Sequence, residues 1–238
     1  MAENDHYAGA TEPKRLSVCA VIPAHNEAGR VGAVLDALAS APEVDAVIVV
    51  DDGSTDGTFG AASAHPAAQG KTAKICVVRQ TENRGKGAAM LRGAAHAAPC
   101  DVLLFLDADL VGLTPAHVSG LLAPVTSGQM AMALGVFRGG RGATTLAQWI
   151  APNISGQRAI RRDLFLSVPG LAASGYGVEL AITNYVLGNG LPVAQVVLQD
   201  VTHPMKEEKL GWTRGFASRL RMYHQMIPQI VRRLTRQI

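Results

Sequence analysis

The chain has 238 residues, 48% apolar and 17% charged, the composition of an ordinary globular protein with one sizeable core, which excludes a largely disordered polypeptide. A formal charge of +3 says little about partners, and no nucleic-acid partner is expected. No apolar run approaches the roughly 18 to 20 residues that span a bilayer, because Asp101, Asp107 and Asp109 interrupt the best candidate.

From Met1 to about Arg15 the chain is polar and mixed in charge, without the basic start, apolar stretch and small-residue cleavage site of a signal peptide. It reads as a flexible N-terminal segment of a cytoplasmic protein, soluble or peripheral on the membrane. Cys19, Cys76 and Cys100 have neither CxxC spacing nor His neighbours and read as buried, reduced thiols. Prolines and glycines are spread along the sequence rather than gathered in a linker, so one domain is expected over 16–205, followed by a helical tail over 206–238.

Val18 to Ile22, Val44 to Val50, Ile75 to Val78 and Val102 to Leu106 are short, largely β-branched runs that predict buried strands. Between them, Val31, Val34, Leu35 and Leu38 share one helical face, and Ala88 to Ala98 is rich in helix formers. This alternation predicts an α/β fold with a mostly parallel sheet, whose ligands bind beyond the carboxyl ends of the strands. Those ends carry Pro23-Ala24-His25-Asn26-Glu27, Asp51 to Asp56, Arg79 to Gly87 and Asp107-Ala108-Asp109. Further on, Met130 to Phe137 predicts a strand, Thr144 to Ile150 the start of a helix, Glu179 to Leu187 a helix and Pro192 to Leu198 a strand.

At the second strand end, Gly53 allows a tight exit and Ser54 or Thr55 can cap the next helix. Asp51 or Asp52 could accept hydrogen bonds from a base or ribose there, although a plain turn and cap would look the same. Asn83-Arg84-Gly85-Lys86-Gly87 opens a helix whose amides favour anions, with Lys86 as a point charge; the P-loop spacing is absent. Asp107 and Asp109, two apart after a strand, aim two carboxylates at one small volume where Mg²⁺ or Mn²⁺ could sit.

These four motifs, in this order over about the first 110 residues, resemble family 2 glycosyltransferases of the GT-A fold, a mostly parallel, Rossmann-like central sheet flanked by helices. Ser174-Gly175-Tyr176-Gly177-Val178-Glu179, a following strand and then His203 are similar to the glucosyl-3-phosphoglycerate synthase branch. The resemblance implies a nucleotide-sugar donor such as UDP-glucose, bridged by Mn²⁺ or Mg²⁺. It implies Asp109 and His203 as direct metal ligands, with Asp107 on the metal or the ribose, and Pro23, Ala24, His25, Glu27, Asp51, Asp52, Lys86 and Ala108 lining the donor site. Lys86 or Arg158 would assist departure of the nucleoside diphosphate, and Glu179 would contact the transferred sugar or the acceptor. Arg141, Tyr176 and Gly177, with Arg138 and Arg158 as further cations, fall on the acceptor side.

The branch implies retention of anomeric configuration. The polyprenyl-phosphate sugar synthases, which share the DADL type of signature, would imply inversion at a membrane surface. A nucleotide-sugar-binding regulatory protein without turnover is the non-enzyme alternative. The branch places an Asn two residues beyond the metal His, where this chain has His203-Pro204-Met205, so the phosphorylated or anionic acceptor stays unidentified. In the tail, Trp212, Phe216, Leu220, Tyr223 and Ile227 follow helical spacing with Arg214, Arg219 and Arg221 mostly off that stripe. Packing on the domain, a homodimer contact and an anionic membrane all suit that pattern.

Overall fold

A computed structural model describes residues 15–97, 99–137, 155–174 and 177–203. The expected N-terminal segment (apart from Arg15), the helix expected from Thr144 and the tail lie outside the described residues, as do Arg138, Arg141 and Tyr176.

Seven strands form one sheet: β1 (Val18–Ala24), β2 (Ala46–Asp52), β3 (Ile75–Gln80), β4 (Val102–Phe105), β5 (Met132–Phe137), β6 (Arg158–Arg161) and β7 (Val193–Leu198), in the spatial order β3-β2-β1-β4-β6-β5-β7. All pairings are parallel except those of β6, which runs antiparallel to both β4 and β5. β1 and β4 are buried along almost their whole length, which is why they read as continuous apolar runs rather than as an alternation.

Helices cover both faces. On one lie α1 (Val31–Ala39), α2 (Thr58–Ser63) and α4 (Pro115–Thr126), whose Val34, Leu35, Leu38, Leu121 and Leu122 join Ala20, Ile22, Val49 and Leu104 of the sheet in one core. On the other lie α3 (Lys86–His96), α5 (Arg162–Leu166) and α6 (Val178–Gly188), packed on Val21, Val50, Leu103 and Phe105. Burying a Leu such as Leu35, with no exposed surface, contributes roughly 1.5–3 kcal/mol. This is the expected GT-A arrangement, a mostly parallel sheet between two helical layers.

Helix α4 was not among the expected elements. Its signal is nonetheless present: Thr114 caps it by accepting from the His117 amide, Pro115 starts it, and Val118, Leu121, Leu122 and Val125 line its buried face. Strand β6 was also missed. Two expectations are corrected. Ser54 and Thr55 do not cap α2, because the helix begins later: Gly57 is its N-cap residue, and Asp56 Oδ1 accepts from the Thr58 amide at 2.9 Å. Cys76 is exposed on the edge strand β3, and Cys100 is half-buried, so only Cys19 is a buried thiol. Among the described residues, no helix is long and apolar enough to cross a membrane.

Candidate active site

The carboxyl ends of the six parallel strands, and the start of β6, lie on one edge of the sheet. There the first two strand ends are laced together. Asn26, held at a positive φ of 59°, accepts from the Thr55 amide at 2.9 Å through its side-chain oxygen, while its own amide donates to Ser54 Oγ at 3.0 Å. The Glu27 amide donates to Thr58 Oγ1 at 2.8 Å, and His25 Nδ1 lies 2.8 Å from the Asp52 carbonyl oxygen. Pro23 is half-buried and Ala24 buried beside Asp51, so this corner is a rigid floor with His25 exposed at its rim.

The paired aspartates of β2 have different work. Asp52 accepts from Gln80 Nε2 and the Arg84 amide, both at 2.8 Å, through Oδ1, and from the Gly85 amide at 2.9 Å through Oδ2. Its carboxylate is therefore committed to shaping the turn that leads into α3. Asp51, fully buried, accepts from the Ser54 amide through Oδ1. Its Oδ2 has no hydrogen-bond partner and faces Arg79 Nε at 3.4 Å. Gly53, at φ 65°, could carry no Cβ, which would meet the Glu82 carbonyl carbon at 2.4 Å.

The turn shaped by Asp52 delivers Lys86 as the first residue of α3, after Gly85 at φ 88°. Lys86 Nζ donates to Asp107 Oδ1 and Glu179 Oε1, both at 2.6 Å, joining β4's end to the first turn of α6. Burial works against the ammonium, but the two carboxylates outweigh it and hold Lys86 protonated well above its ordinary range. Burial likewise opposes the Asp107 carboxylate, and Lys86 and His203 outweigh that, keeping it ionised below its usual range. A Cβ on Gly156 would lie 2.5 Å from Asp107 Oδ2 and 2.8 Å from Lys86 Nζ.

The long-range partner arrives from β7. Val111 and Thr202 form an antiparallel bridge, with the Val111 amide donating to the Thr202 carbonyl at 3.0 Å and the reverse bond at 3.1 Å. That bridge sets His203 Nδ1 3.1 Å from Asp109 Oδ1, across 94 residues of sequence, with its Nε2 3.7 Å from Asp107 Oδ2. Phe137 meets the imidazole edge to face at 5.0 Å. Burial disfavours the imidazolium, yet the Asp109 hydrogen bond and both carboxylates prevail and raise the His203 pKa.

Donor atoms of Asp107, Asp109 and His203 all lie within 4.8 Å of one another. Two carboxylate oxygens and one imidazole nitrogen form a donor set that fits Mn²⁺ as well as Mg²⁺. The three metal candidates expected from sequence are thus together, with Lys86 and Glu179 beside them and Ala108 buried between the two aspartates.

Arg158 is placed differently. Fully buried, it donates through Nη1 to the Glu179 carbonyl at 3.1 Å and through Nη2 to the Ser155 carbonyl at 2.5 Å, and burial lowers its pKa to about 10. It braces the start of α6, and the Glu179 and Asp107 carboxylates favour its charge. Gly177 is the N-cap residue of that helix. Gln157 and Gly156 were missed by sequence reasoning; the only signal was their glycine-punctuated stretch, Ser155 to Arg158.

Comparison with known proteins bears on this geometry. The family described as Glycosyl transferase family 2 matches residues 19–178. The chain is 30% identical over 199 residues to glucosyl-3-phosphoglycerate synthase of Mycolicibacterium paratuberculosis, covering 70% of this chain but only 58% of that relative's length. It is similar to the crystal structure of glucosyl-3-phosphoglycerate synthase from Mycobacterium tuberculosis in complex with Mn²⁺, UDP and glucosyl-3-phosphoglycerate, at 29% identity and a TM-score of 0.67, over 87% of this chain and 80% of that one. Over 103 residues it is also 38% identical to dolichyl-phosphate β-glucosyltransferase of Drosophila melanogaster, covering 40% of this chain and 31% of that protein.

Proposed function

The chain belongs to glycosyl transferase family 2, and we propose that it is a metal-dependent enzyme moving a hexose from a nucleotide sugar, UDP-glucose or a related UDP-hexose, to a small phosphorylated or anionic acceptor with retention of configuration. The observation that carries this reading is the cluster of Asp107, Asp109 and His203, set against Lys86 on the ligand-binding edge of the sheet.

Asp109 and His203, with Asp107 beside them, would hold Mn²⁺ or Mg²⁺, which when bound supplies a Lewis acid for the charge that grows on a departing diphosphate. The chain's own contributions follow from its contacts. Lys86 keeps its proton and adds a fixed positive charge at the same place, so the diphosphate is met by a cation that needs no reorganisation. Asp51, with one carboxylate oxygen lacking a hydrogen-bond partner, suits an N–H of the base, while Pro23, Ala24, His25 and Glu27 shape the adjoining floor. Asp52 serves the donor indirectly by fixing the turn before Lys86.

Glu179 is the candidate contact for the transferred sugar or the acceptor, aligned by Lys86 on its carboxylate and Arg158 on its carbonyl. Gly177, next to it, is assigned to the acceptor side together with Arg141 and Tyr176. Asp107, Asp109 and Glu179 each already hold a cation or an imidazole, so none stands ready as a free base. That suits a retaining transfer, in which the acceptor is deprotonated by the departing phosphate rather than by the protein.

A thermal-shift screen of UDP-sugars with and without Mn²⁺ tests the donor, because a ligand at 100 times its Kd stabilises by about 2.7 kcal/mol. Asp109→Ala should abolish transfer and remove the Mn²⁺-dependent part of the UDP-glucose shift; an active, shift-competent variant would refute the site. The Drosophila similarity, confined to a stretch of 103 residues, favours one second reading, a polyprenyl-phosphate acceptor.

A further inference from the structure

We propose that Gln157 is a positioning residue of this site, its buried carboxamide fixing the rotation of the Asp107 carboxylate and so the shape of the metal and diphosphate pocket. The inference rests on the reading of Asp107, Asp109 and His203 as metal ligands.

Gln157 has no exposed surface, although it sits at the edge where the site opens. Its Nε2 donates to Asp107 Oδ2 at 2.8 Å, and its Oε1 lies 3.0 Å from Ser155 Oγ. The orientation of the amide follows from its partners. Asp107 accepts from Lys86 on its other oxygen, so the NH₂ end of the amide faces it, leaving the carbonyl end towards the Ser155 hydroxyl. The single Ser155 hydroxyl proton is shared between Gln157 Oε1 and the Gly135 carbonyl oxygen, and the Gly135 amide donates to the Gln157 carbonyl at 2.8 Å. A Cβ on Gly135 would come within 3.0 Å of the Gln157 Cβ, so this residue is seated against the β5 backbone with no slack.

Asp107 is therefore gripped from two sides, by Lys86 on Oδ1 and by Gln157 on Oδ2. A carboxylate bonded to Lys86 alone could turn about its last torsion and carry Oδ2 away from His203 Nε2, now 3.7 Å distant. Gln157 prevents that turn and leaves Oδ2 directed at the volume shared with Asp109 and His203. A purely structural requirement at a fully buried position would be met more simply by an apolar side chain, since a buried amide is favourable only when its hydrogen bonds are made. Partners of metal-binding side chains that act this way change metal affinity when removed, typically by 10 to 100-fold.

The test is a Mn²⁺ titration of the intact protein, followed by loss of the free-ion EPR signal with and without UDP, alongside thermal unfolding. Gln157→Met keeps the length and removes the donor; Gln157→Glu keeps the shape and puts an acceptor against Asp107. Gln157→Met should unfold within a few degrees of the parent and Gln157→Glu, which sets a second buried carboxylate against Asp107, at a lower temperature; both should bind Mn²⁺ 10 to 100-fold more weakly, while Asp109→Ala shows no measurable binding. Parent-like Mn²⁺ affinity in either folded variant would overturn the inference and leave the site standing, provided Asp109→Ala has lost binding. Parent-like affinity in Asp109→Ala as well would overturn both. Should neither glutamine variant fold, Ser155→Ala frees the same amide at its far end, and a rise in the Mn²⁺ Kd supports the inference while an unchanged Kd refutes it.

Discussion

Asp51 and Asp52 are adjacent and chemically identical, yet their surroundings assign them opposite tasks. Asp52 is saturated by three N–H donors, two of them backbone amides of the turn that presents Lys86. Asp52→Asn would turn an amide NH₂ towards one of those donors and remove a charge-assisted hydrogen bond, at a cost of about 1–3 kcal/mol. The expected result is a lower urea midpoint together with a fall in kcat, because Lys86 loses its placement. Asp51→Asn should instead weaken UDP-sugar binding, measured by calorimetry, with a smaller effect on kcat. The sequence offered both aspartates to a base or ribose. Which one keeps an oxygen without a hydrogen bond could not be read from it, because the decision lies in Gln80, Arg84 and Gly85, which only the fold brings to the Asp52 carboxylate.

At the level of elements, the strand ends were legible because β1, β2 and β4 are buried apolar runs that stop abruptly at polar clusters; β3 reads the same way but lies at the sheet edge and is only partly buried. What was not legible has physical reasons. β6 begins with Arg158 and ends with Arg161, charges that argue against a buried strand until Arg158 is seen bonded to two carbonyls. In α4 the capping partner at the third position is His117 rather than Glu or Gln, and Pro124 interrupts the pattern. The Asp109 and His203 pairing was expected from family resemblance alone. The fold explains it through the Val111–Thr202 bridge. Two glycines separate stability from site geometry. A Cβ on Gly93 would overlap Val21 Cγ1 at 2.2 Å under α3, and one on Gly112, at φ 80°, would meet the Asp200 carbonyl oxygen at 2.5 Å beside the bridge. Gly93→Ala and Gly112→Ala should each cost about 1–3 kcal/mol in chemical denaturation. Only Gly112→Ala should also weaken Mn²⁺ binding, since it displaces the segment that carries His203.

Over the whole molecule, the sheet order places the loops after β1, β2 and β3, proposed for the donor, on one half and the entry of His203 from β7 on the other, with β4 and β6 between them supplying Asp107, Asp109 and Gln157. All residues proposed for the donor and metal lie between Pro23 and His203; an acceptor, a second copy or a lipid surface remain the proposed partners of 206–238. The chain spans 58% of the length of the M. paratuberculosis synthase it matches. Two measurements separate the readings. With radiolabelled UDP-glucose and a cell extract as the acceptor source, product of a small anionic acceptor stays in the aqueous phase. A polyprenyl-phosphate product moves into the organic phase, and would replace the leading proposal. If the basic residues Arg214, Arg219 and Arg221, off the apolar stripe, contact lipid, vesicles rich in anionic lipid retain the protein at low salt and release it as ionic strength rises, because screening shortens the reach of the charges to about 8 Å at physiological salt. Retention that survives high salt would instead assign the contact to the apolar stripe of Trp212, Phe216 and Leu220, while no retention at low salt would leave the tail to packing or self-association.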